Sequence, residues 1–202
     1  MNQVGDLVRL VIISVPPQPL LDRLGELRAE LCRLSGSRAA LAWPVHLTLR
    51  TGALVPQAKL PEFYHDFGAH AAAIPAFSIR LGRFVTALPL VAGQAGAGGQ
   101  FAGFEVEMTP ELAEGHRRLA GFEPFRKGRQ YDYHPHVTLA FDDLDQSGLE
   151  RIRQAVEGRT DFPIGESWNC QAAECFRQTG QTWERTAILP LQQSGMPWVP
   201  RS

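Results

Sequence analysis

The chain has 202 residues, with 44% hydrophobic and 20% charged residues, a composition typical of a soluble globular protein with a substantial core. Its formal net charge of -1 argues against a protein that coats nucleic acid through bulk positive charge, but it allows a small or terminal nucleotide in a local pocket. Because no apolar run could cross a bilayer and no signal peptide is present, we expect a monomeric cytoplasmic protein with no membrane partner.

The first half of the chain alternates between the hydrophobic periods of strands and helices. A run of Val, Ile and Leu predicts a strand buried on both faces, which ends at Pro16-Pro17. The next segment has leucines at helical spacing, which predict core packing. In order, we predict a strand, a helix, a strand, a helix and a strand over residues 7–15, 20–34, 41–50, 59–73 and 77–85.

The second half adds further strands and helices. Residues 93–99 are rich in glycine but lack the Gly-Lys-Ser/Thr ending of a phosphate-binding loop, so we expect a mobile hairpin loop there. We then predict a strand over residues 101–108, a helix over 109–120, a strand over 135–141 and a helix over 147–157. A two-stranded hairpin over 165–177 and 183–191 follows, and the tail at 194–202 is expected to be flexible. Because strands and helices mix without regular β-α-β alternation, the predicted class is α+β with mainly antiparallel sheets.

The three cysteines are Cys32, Cys170 and Cys175. They are odd in number and have no metal-ligand spacing among them. We expect reduced thiols.

Two short segments repeat each other ninety positions apart. Each reads His-x-Thr-Leu within a strand-like run: Val45-His46-Leu47-Thr48-Leu49 and Pro135-His136-Val137-Thr138-Leu139. Strand side chains alternate between faces, so we predict that His46, Thr48 and Arg50 share one face in the first copy and that His136, Thr138 and Ala140 share one face in the second. One copy alone is usually structural, but the pair indicates two strands that face each other across one site.

A basic and aromatic segment precedes the second motif. Five cations fall within a short span: Arg117, Arg118, Arg126, Lys127 and Arg129. An anionic nucleotide could contact this segment, with a ring available to stack on a base. The candidate substrate-binding residues are Tyr131, Tyr133, His134, Arg126 and Arg129. A solvated loop is an equally good interpretation.

The paired motifs, at this spacing and in a chain of this size, resemble the 2H phosphoesterase superfamily, and within it the bacterial 2′-5′ RNA ligase-like or cyclic phosphodiesterase proteins. The resemblance implies a single bilobal α+β domain over residues 1–202, with two pseudo-symmetric lobes, helices flanking the sheets and a cleft between the lobes. It also implies metal-independent chemistry on 2′,3′-cyclic phosphates. Some relatives carry a basic residue shortly after the second motif. Here that stretch is Ala140-Phe141-Asp142, and Arg50 is the predicted substitute.

Opening a cyclic phosphate in water requires a base for the nucleophile and an acid for the departing ribose oxygen. Two histidines, with an ordinary pKa near ~6.5, can divide these roles, which predicts a bell-shaped pH dependence. The hydroxyls of Thr48 and Thr138 can donate hydrogen bonds to the phosphate, and Arg50 can add charge. We predict no metal and no other cofactor. From the sequence alone, we assign His136 as the base that activates water and His46 as the acid that protonates the leaving oxygen, with a 2′-phosphomonoester as product.

The expected substrate is therefore a nucleotide 2′,3′-cyclic phosphate or an RNA terminus. The sequence contains neither Gly-x-Ser-x-Gly nor His-Glu-x-x-His, so serine hydrolase and zinc peptidase patterns are missing. The alternative from another class is a non-catalytic module that binds nucleotides or RNA ends and does not need both histidines. Among enzymes, reverse 2′-5′ RNA ligation, opening of ADP-ribose cyclic phosphate and trimming of RNA ends stay open.

Overall fold

The computed structural model describes residues 6–86, 100–126, 133–180 and 182–192, apart from the side chain of Arg126. The strands are β1 Leu7–Ser14, β2 Leu47–Pro56, β3 Phe77–Val85, β4 Phe101–Val106, β5 His136–Phe141, β6 Ser167–Cys170, β7 Ala172–Thr179 and β8 Thr182–Pro190. The helices are α1 Gln18–Ser35, α2 Leu60–Ala71, α3 Pro110–Gly121, α4 Glu123–Arg126 and α5 Gln146–Val156. The glycine-rich segment 93–99 and the tail 194–202 lie outside the described residues.

The strand pairing confirms the predicted α+β class with an antiparallel sheet. The described strands lie in the order β6-β3-β4-β5-β2-β1-β7-β8, and neighbouring strands run antiparallel. Four strands on each side of the boundary between β5 and β2 make two comparable lobes. Leu47 and Val137 pair across this boundary.

The predicted strand over 165–177 is wrong as one continuous strand. It divides into β6, which pairs with β3, and β7, which pairs with β1 and β8. Only Gln171 separates the two strands in the chain, yet β6 lies at one edge of the sheet and β7 lies beside the opposite edge. The sheet must therefore curl until its two ends approach each other, and this segment connects the lobes.

Most buried side chains belong to one core, in which helices pack against one face of the sheet. The predicted leucine stripe of α1 is confirmed, since Leu20, Leu24, Leu27 and Leu31 are buried. A second, smaller cluster is buried on the opposite face of the sheet, which we call the open face: Val11, Ile13 and Phe176, with Val15, Trp43 and Trp183 packed against them.

Local signals in the sequence set the helix ends. Thr109 caps α3 as predicted, because its hydroxyl accepts a hydrogen bond from the amide of Leu112 at 3.1 Å. Gly36 ends α1 with a φ of 82°, a conformation that favours glycine. In the described part of the chain, no helix combines the length and apolar character needed to cross a bilayer.

The three cysteines are buried free thiols. Burial raises the pKa of Cys170 to about 11 and that of Cys175 to about 12. The reactive thiolate form is therefore disfavoured at both positions.

Candidate active site

The two His-x-Thr motifs lie side by side at the boundary between the lobes. The middle residues of the motifs pair with each other in antiparallel register. The same register places His46 across from Thr138 and His136 across from Thr48. Each histidine therefore lies opposite the threonine of the other motif.

The polar side chains of both motifs lie on the open face of the sheet. Their apolar neighbours Leu47, Leu49, Val137 and Leu139 are completely buried in the main core. Thr48 pairs with Ile13, whose side chain belongs to the cluster on the open face. The predicted separation of polar and apolar faces is confirmed for the histidine, the threonine and the apolar residues between them. The catalytic and phosphate-binding roles of the histidines and threonines stay predictions. The prediction that Ala140 shares the face of His136 and Thr138 is wrong, because Leu139 forms a bulge in β5 and Ala140 is buried in the main core.

Each motif histidine makes the same local hydrogen bond. The Nδ1 atom of His46 lies 2.8 Å from the carbonyl oxygen of Pro44, and that of His136 lies 2.7 Å from the carbonyl oxygen of His134. Because a carbonyl oxygen only accepts, Nδ1 carries the proton in both rings. The other nitrogen, Nε2, is left as the atom that can exchange a proton with a ligand.

Burial lowers the pKa of both histidines below the ordinary value. For His46 the pKa falls to about 4, mainly because of burial. The hydrogen bond to the Pro44 carbonyl opposes this decrease, and the positive charges of His136 and Arg28 lower the pKa further. For His136 burial again dominates, the His134 carbonyl opposes it, and the imidazole of His134 lowers the pKa further. The neutral imidazole is favoured at both positions in the unliganded protein.

Aromatic rings flank both histidines in different ways. Trp43 stacks on His46, with ring centroids 5.3 Å apart and planes at 26°. Phe101 meets His136 edge to face, with centroids 5.3 Å apart and planes at 89°. These rings restrict the imidazoles and remove water from around them, which contributes to the lowered pKa values.

Arg28 on α1 holds the segment that leads to the first motif. Its guanidinium donates hydrogen bonds to the carbonyl oxygens of Ala40 and Trp43. The same charge lowers the pKa of His46. The sequence analysis missed this residue, because it lies within an ordinary helical pattern and its partners lie in another segment.

Asp143, just beyond β5, clamps the same segment. Its carboxylate accepts hydrogen bonds from the Ser37 hydroxyl at 2.6 Å and from the amide nitrogens of Arg38 and Ala39 at 2.7 and 3.2 Å. Burial opposes ionisation, but these hydrogen bonds prevail and lower the pKa of Asp143. Asp143 therefore links the end of the second motif strand to the approach of the first. No local sequence signal indicates this link.

The prediction that Arg50 shares the face of His46 and Thr48 is wrong. Thr48 pairs with Ile13 and Arg50 pairs with Ile12, so Leu49 forms a bulge in β2. A bulge inserts one residue and reverses the alternation beyond it. Arg50 consequently joins the main-core face, where it is 1% exposed and donates a hydrogen bond to the carbonyl oxygen of Phe125 at 3.2 Å. Arg50 therefore does not lie on the face of the motif histidines where the phosphate is expected.

Two of the predicted substrate-binding residues are fully described. The Tyr133 hydroxyl donates a hydrogen bond to the carbonyl oxygen of Thr48 at 2.9 Å, and its ring lies parallel to His116 at 3.7 Å. Tyr133 therefore supports the boundary between the lobes and does not offer an open ring face to a base on that side. His134 is exposed and lies close enough to His136 to lower its pKa. The role of His134 in substrate binding stays a prediction. The remaining candidates, Arg129, Tyr131 and the side chain of Arg126, lie outside the described residues.

A pocket of about 550 Å³ lies away from the motifs, between the distal end of β2 and helices α2 and α4. Its lining includes Leu54, Phe63, Asp66 and Phe122 and neither motif histidine.

Over the described ranges, the side chains of His, Cys, Asp and Glu form no group of three or more that could hold a metal ion.

Comparison with known proteins identifies the family and the fold. Residues 16–182 match the family model described as the 2′-5′ RNA ligase superfamily. No curated protein matches the chain. TT0787 of Thermus thermophilus has a similar structure, with a TM-score of 0.60 and 19% sequence identity, over 92% of this chain and 99% of that one. E. coli LigT complexed with 3′-AMP gives a TM-score of 0.61 and 17% identity, over 93% of this chain and 100% of LigT. LigT has also been crystallised with ATP.

Proposed function

The chain belongs to the 2′-5′ RNA ligase superfamily of 2H phosphoesterases, and from this premise we propose that it is a phosphodiesterase that opens 2′,3′-cyclic phosphates of nucleotides or RNA ends. The observation that carries the proposal is the antiparallel pairing of the two motifs at Leu47 and Val137. By the geometry of an antiparallel pair, this register sets each histidine opposite the other motif's threonine. Both imidazoles hold their Nδ1 proton on a backbone carbonyl, so two Nε2 atoms are available for acid and base catalysis.

In the proposed reaction, one neutral imidazole removes a proton from water as the oxygen attacks phosphorus. The bond from phosphorus to a ribose oxygen breaks, and the second imidazole, in its protonated form, gives its proton to that oxygen. The Thr48 and Thr138 hydroxyls donate hydrogen bonds to the non-bridging oxygens, where charge accumulates. In 2′-5′ RNA ligation, the 5′ hydroxyl of another strand would take the place of water and attack phosphorus, and the 2′-5′ linkage would form as the 3′ oxygen leaves. No metal or cofactor is needed in this scheme.

The environments of the histidines support a reversal of the assignment suggested by the sequence. The fixed positive charge of Arg28 lies near His46 and disfavours its protonated form. We therefore assign His46 as the base and His136 as the acid. Because the two motifs are related by approximate two-fold symmetry, the assignment of base and acid does not determine whether the 2′ or the 3′ oxygen of the ribose leaves. We propose that the 3′ oxygen leaves and that a 2′-phosphomonoester forms.

LigT in complex with 3′-AMP has a similar fold, which supports a nucleotide as ligand. The test is hydrolysis of the four 2′,3′-cyclic nucleotides in the presence of EDTA. His46→Ala and His136→Ala should each reduce the rate by ~10²–10⁴-fold, and His65→Ala, which changes an exposed histidine on α2, is the control. Separation of 2′- and 3′-nucleotides assigns the product.

The alternative function is a non-catalytic module that binds nucleotides or RNA ends. Binding of 3′-AMP without turnover of any cyclic phosphate, unaffected by either histidine substitution, would support this alternative. Activity abolished by EDTA and restored by a divalent metal would contradict the metal-independent scheme.

A further inference from the structure

We infer that the pocket between the distal end of β2 and helices α2 and α4 binds an organic ammonium ion, one with an apolar body and a single positive charge. Its volume of about 550 Å³ lies within the range of roughly 300–1,000 Å³ that is usual for small-molecule sites. Neither motif histidine lines this distal pocket. It is therefore a second site, and the inference does not depend on the proposed function.

The course of β2 forms one wall of the distal pocket. The pairing with β1 skips one residue of β2, since Leu10 pairs with Ala53 and Val11 pairs with Thr51. Gly52 is the extra residue of this bulge, and its φ of 92° lies in the left-handed region that favours glycine. Helices α2 and α4 both contact β2 and close the pocket on its other sides. The backbones of three elements therefore shape the site before a ligand enters.

Apolar side chains supply most of the contact surface. Phe63 and Phe122 line the pocket with ring centroids 5.6 Å apart and planes at 76°. Phe67 and Phe125 are completely buried and pack against both rings, which holds them in place. On the strand side, Leu54 is 59% exposed, so its apolar surface is open to a ligand. A ligand with an apolar body would remove this surface from water.

The charges of the distal pocket are mainly negative. Its described lining contains three carboxylates and one ammonium group, from Glu62, Asp66, Glu123 and Lys59. Lys59 pairs with Glu62 at 2.6 Å, so its charge is already balanced. Asp66 lies one helical turn beyond Glu62 on the same side of α2, and no ion pair between described residues involves it. The pocket therefore offers a ligand negative charge that the protein leaves unbalanced.

These properties together select the class of ligand. An anion such as a nucleotide is repelled by the carboxylates. A bare metal ion needs converging oxygen ligands, and the carboxylates of the described residues form no group of three that could hold one. A neutral apolar molecule would contact the phenylalanine and leucine side chains but leave the carboxylates unused. Only an organic cation uses both the apolar walls and the negative charge.

The test is titration of the isotope-labelled protein at pH 7 and low salt, followed by the NMR shifts of its backbone amides. The probes are 2-phenylethylammonium, its neutral isostere 2-phenylethanol, and methylammonium, which has the charge but no apolar body. We expect 2-phenylethylammonium to bind ~3- to 10-fold more tightly than the alcohol, because of the carboxylates. Methylammonium should bind at least ~10-fold more weakly than 2-phenylethylammonium. The shifts should occur at the amides of Gly52, Asp66 and Phe122.

Two exposed residues of the lining allow variants that keep the core intact. Asp66→Asn should lower the affinity for 2-phenylethylammonium by ~2- to 5-fold and leave that for 2-phenylethanol unchanged. Glu26→Gln is its control, since it removes one negative charge from an exposed position on α1 outside the pocket. Leu54→Ala should weaken both phenyl compounds, while Leu41→Ala, the same change at another exposed leucine, should weaken neither.

His46→Ala separates the distal pocket from the candidate active site, because binding of 2-phenylethylammonium should not change in this variant. Equal affinities of the wild type for the ammonium ion and the alcohol would overturn the inference. The same holds for equal effects of Asp66→Asn and Glu26→Gln, for shifts confined to other parts of the chain, and for a titration with 2-phenylethylammonium that produces no shifts.

Discussion

The hydroxyl of Tyr133 donates a hydrogen bond to the backbone carbonyl of Thr48 at 2.9 Å. Tyr133 belongs to the segment that enters the second motif strand, and Thr48 belongs to the first motif. The bond therefore joins the two lobes next to the paired motif residues, and the relative position of the histidines depends on contacts of this kind.

Tyr133→Phe should loosen this boundary without removing the stack on His116. Loss of one such hydrogen bond costs about 0.5–1.5 kcal/mol of folding free energy. We expect a lower midpoint of urea unfolding and a lower kcat with little change in KM. Unchanged stability and kcat would show that the bond does not position the motifs.

Asp143→Asn should weaken the clamp on the approach to His46. The side-chain amide cannot accept the three hydrogen bonds made to the carboxylate oxygens, which are charge-assisted and cost about 1–3 kcal/mol when lost. We expect reduced thermal stability and reduced kcat. Asp142→Asn, a change at the adjacent exposed residue with a φ of 62°, is the control because asparagine tolerates this conformation.

The pH dependence of kcat/KM should have its optimum below pH 6.5, the ordinary value for histidine. A base is active when neutral, so activity should rise with pH through about 4, the lowered pKa of His46. An acid is active when protonated, so activity should fall once the pH exceeds the lowered pKa of His136. An optimum above pH 7 would contradict the lowered pKa values of the two histidines.

His134 offers a direct test of the acid. Its imidazole lowers the pKa of His136, while its backbone carbonyl holds Nδ1. His134→Ala keeps the carbonyl and removes the charge, so the alkaline limb of the profile should move to higher pH. His134→Lys keeps a positive charge and should not produce this shift. Identical limbs in the two variants would exclude His136 as the group that titrates on the alkaline limb.

His116 should make the folded protein sensitive to acid. Burial lowers its pKa to about 4, with a further contribution from the charge of Arg50. Below pH 6.5 the unfolded chain gains a proton at this position that the folded protein resists, so the free energy of unfolding falls as the pH drops toward 4. His116→Phe keeps a ring stacked on Tyr133 and has no group to titrate, so the decrease in the free energy of unfolding at acid pH should disappear. This decrease is at most about 3 kcal/mol before solvent screening. Urea unfolding at pH 7 and pH 4.5, with His65→Ala as control, measures it.

The sequence by itself determined the features that depend on neighbouring residues. Alternation along each strand put the motif histidines and threonines on one face and the adjacent leucines in the core. Helical spacing and the Thr109 cap predicted α1 and the start of α3. These properties follow from the periods of strand and helix and from hydrogen bonds within one turn.

Only the tertiary structure decided how these parts combine. The bulge at Leu49 moved Arg50 to the opposite face, because a bulge depends on the partner strand as well as on the local sequence. The contact of Trp43 with Trp183 and the clamp of Asp143 on residues 37–39 join segments more than a hundred residues apart. The local patterns that identify a strand contain no information about which distant segment will pack against it.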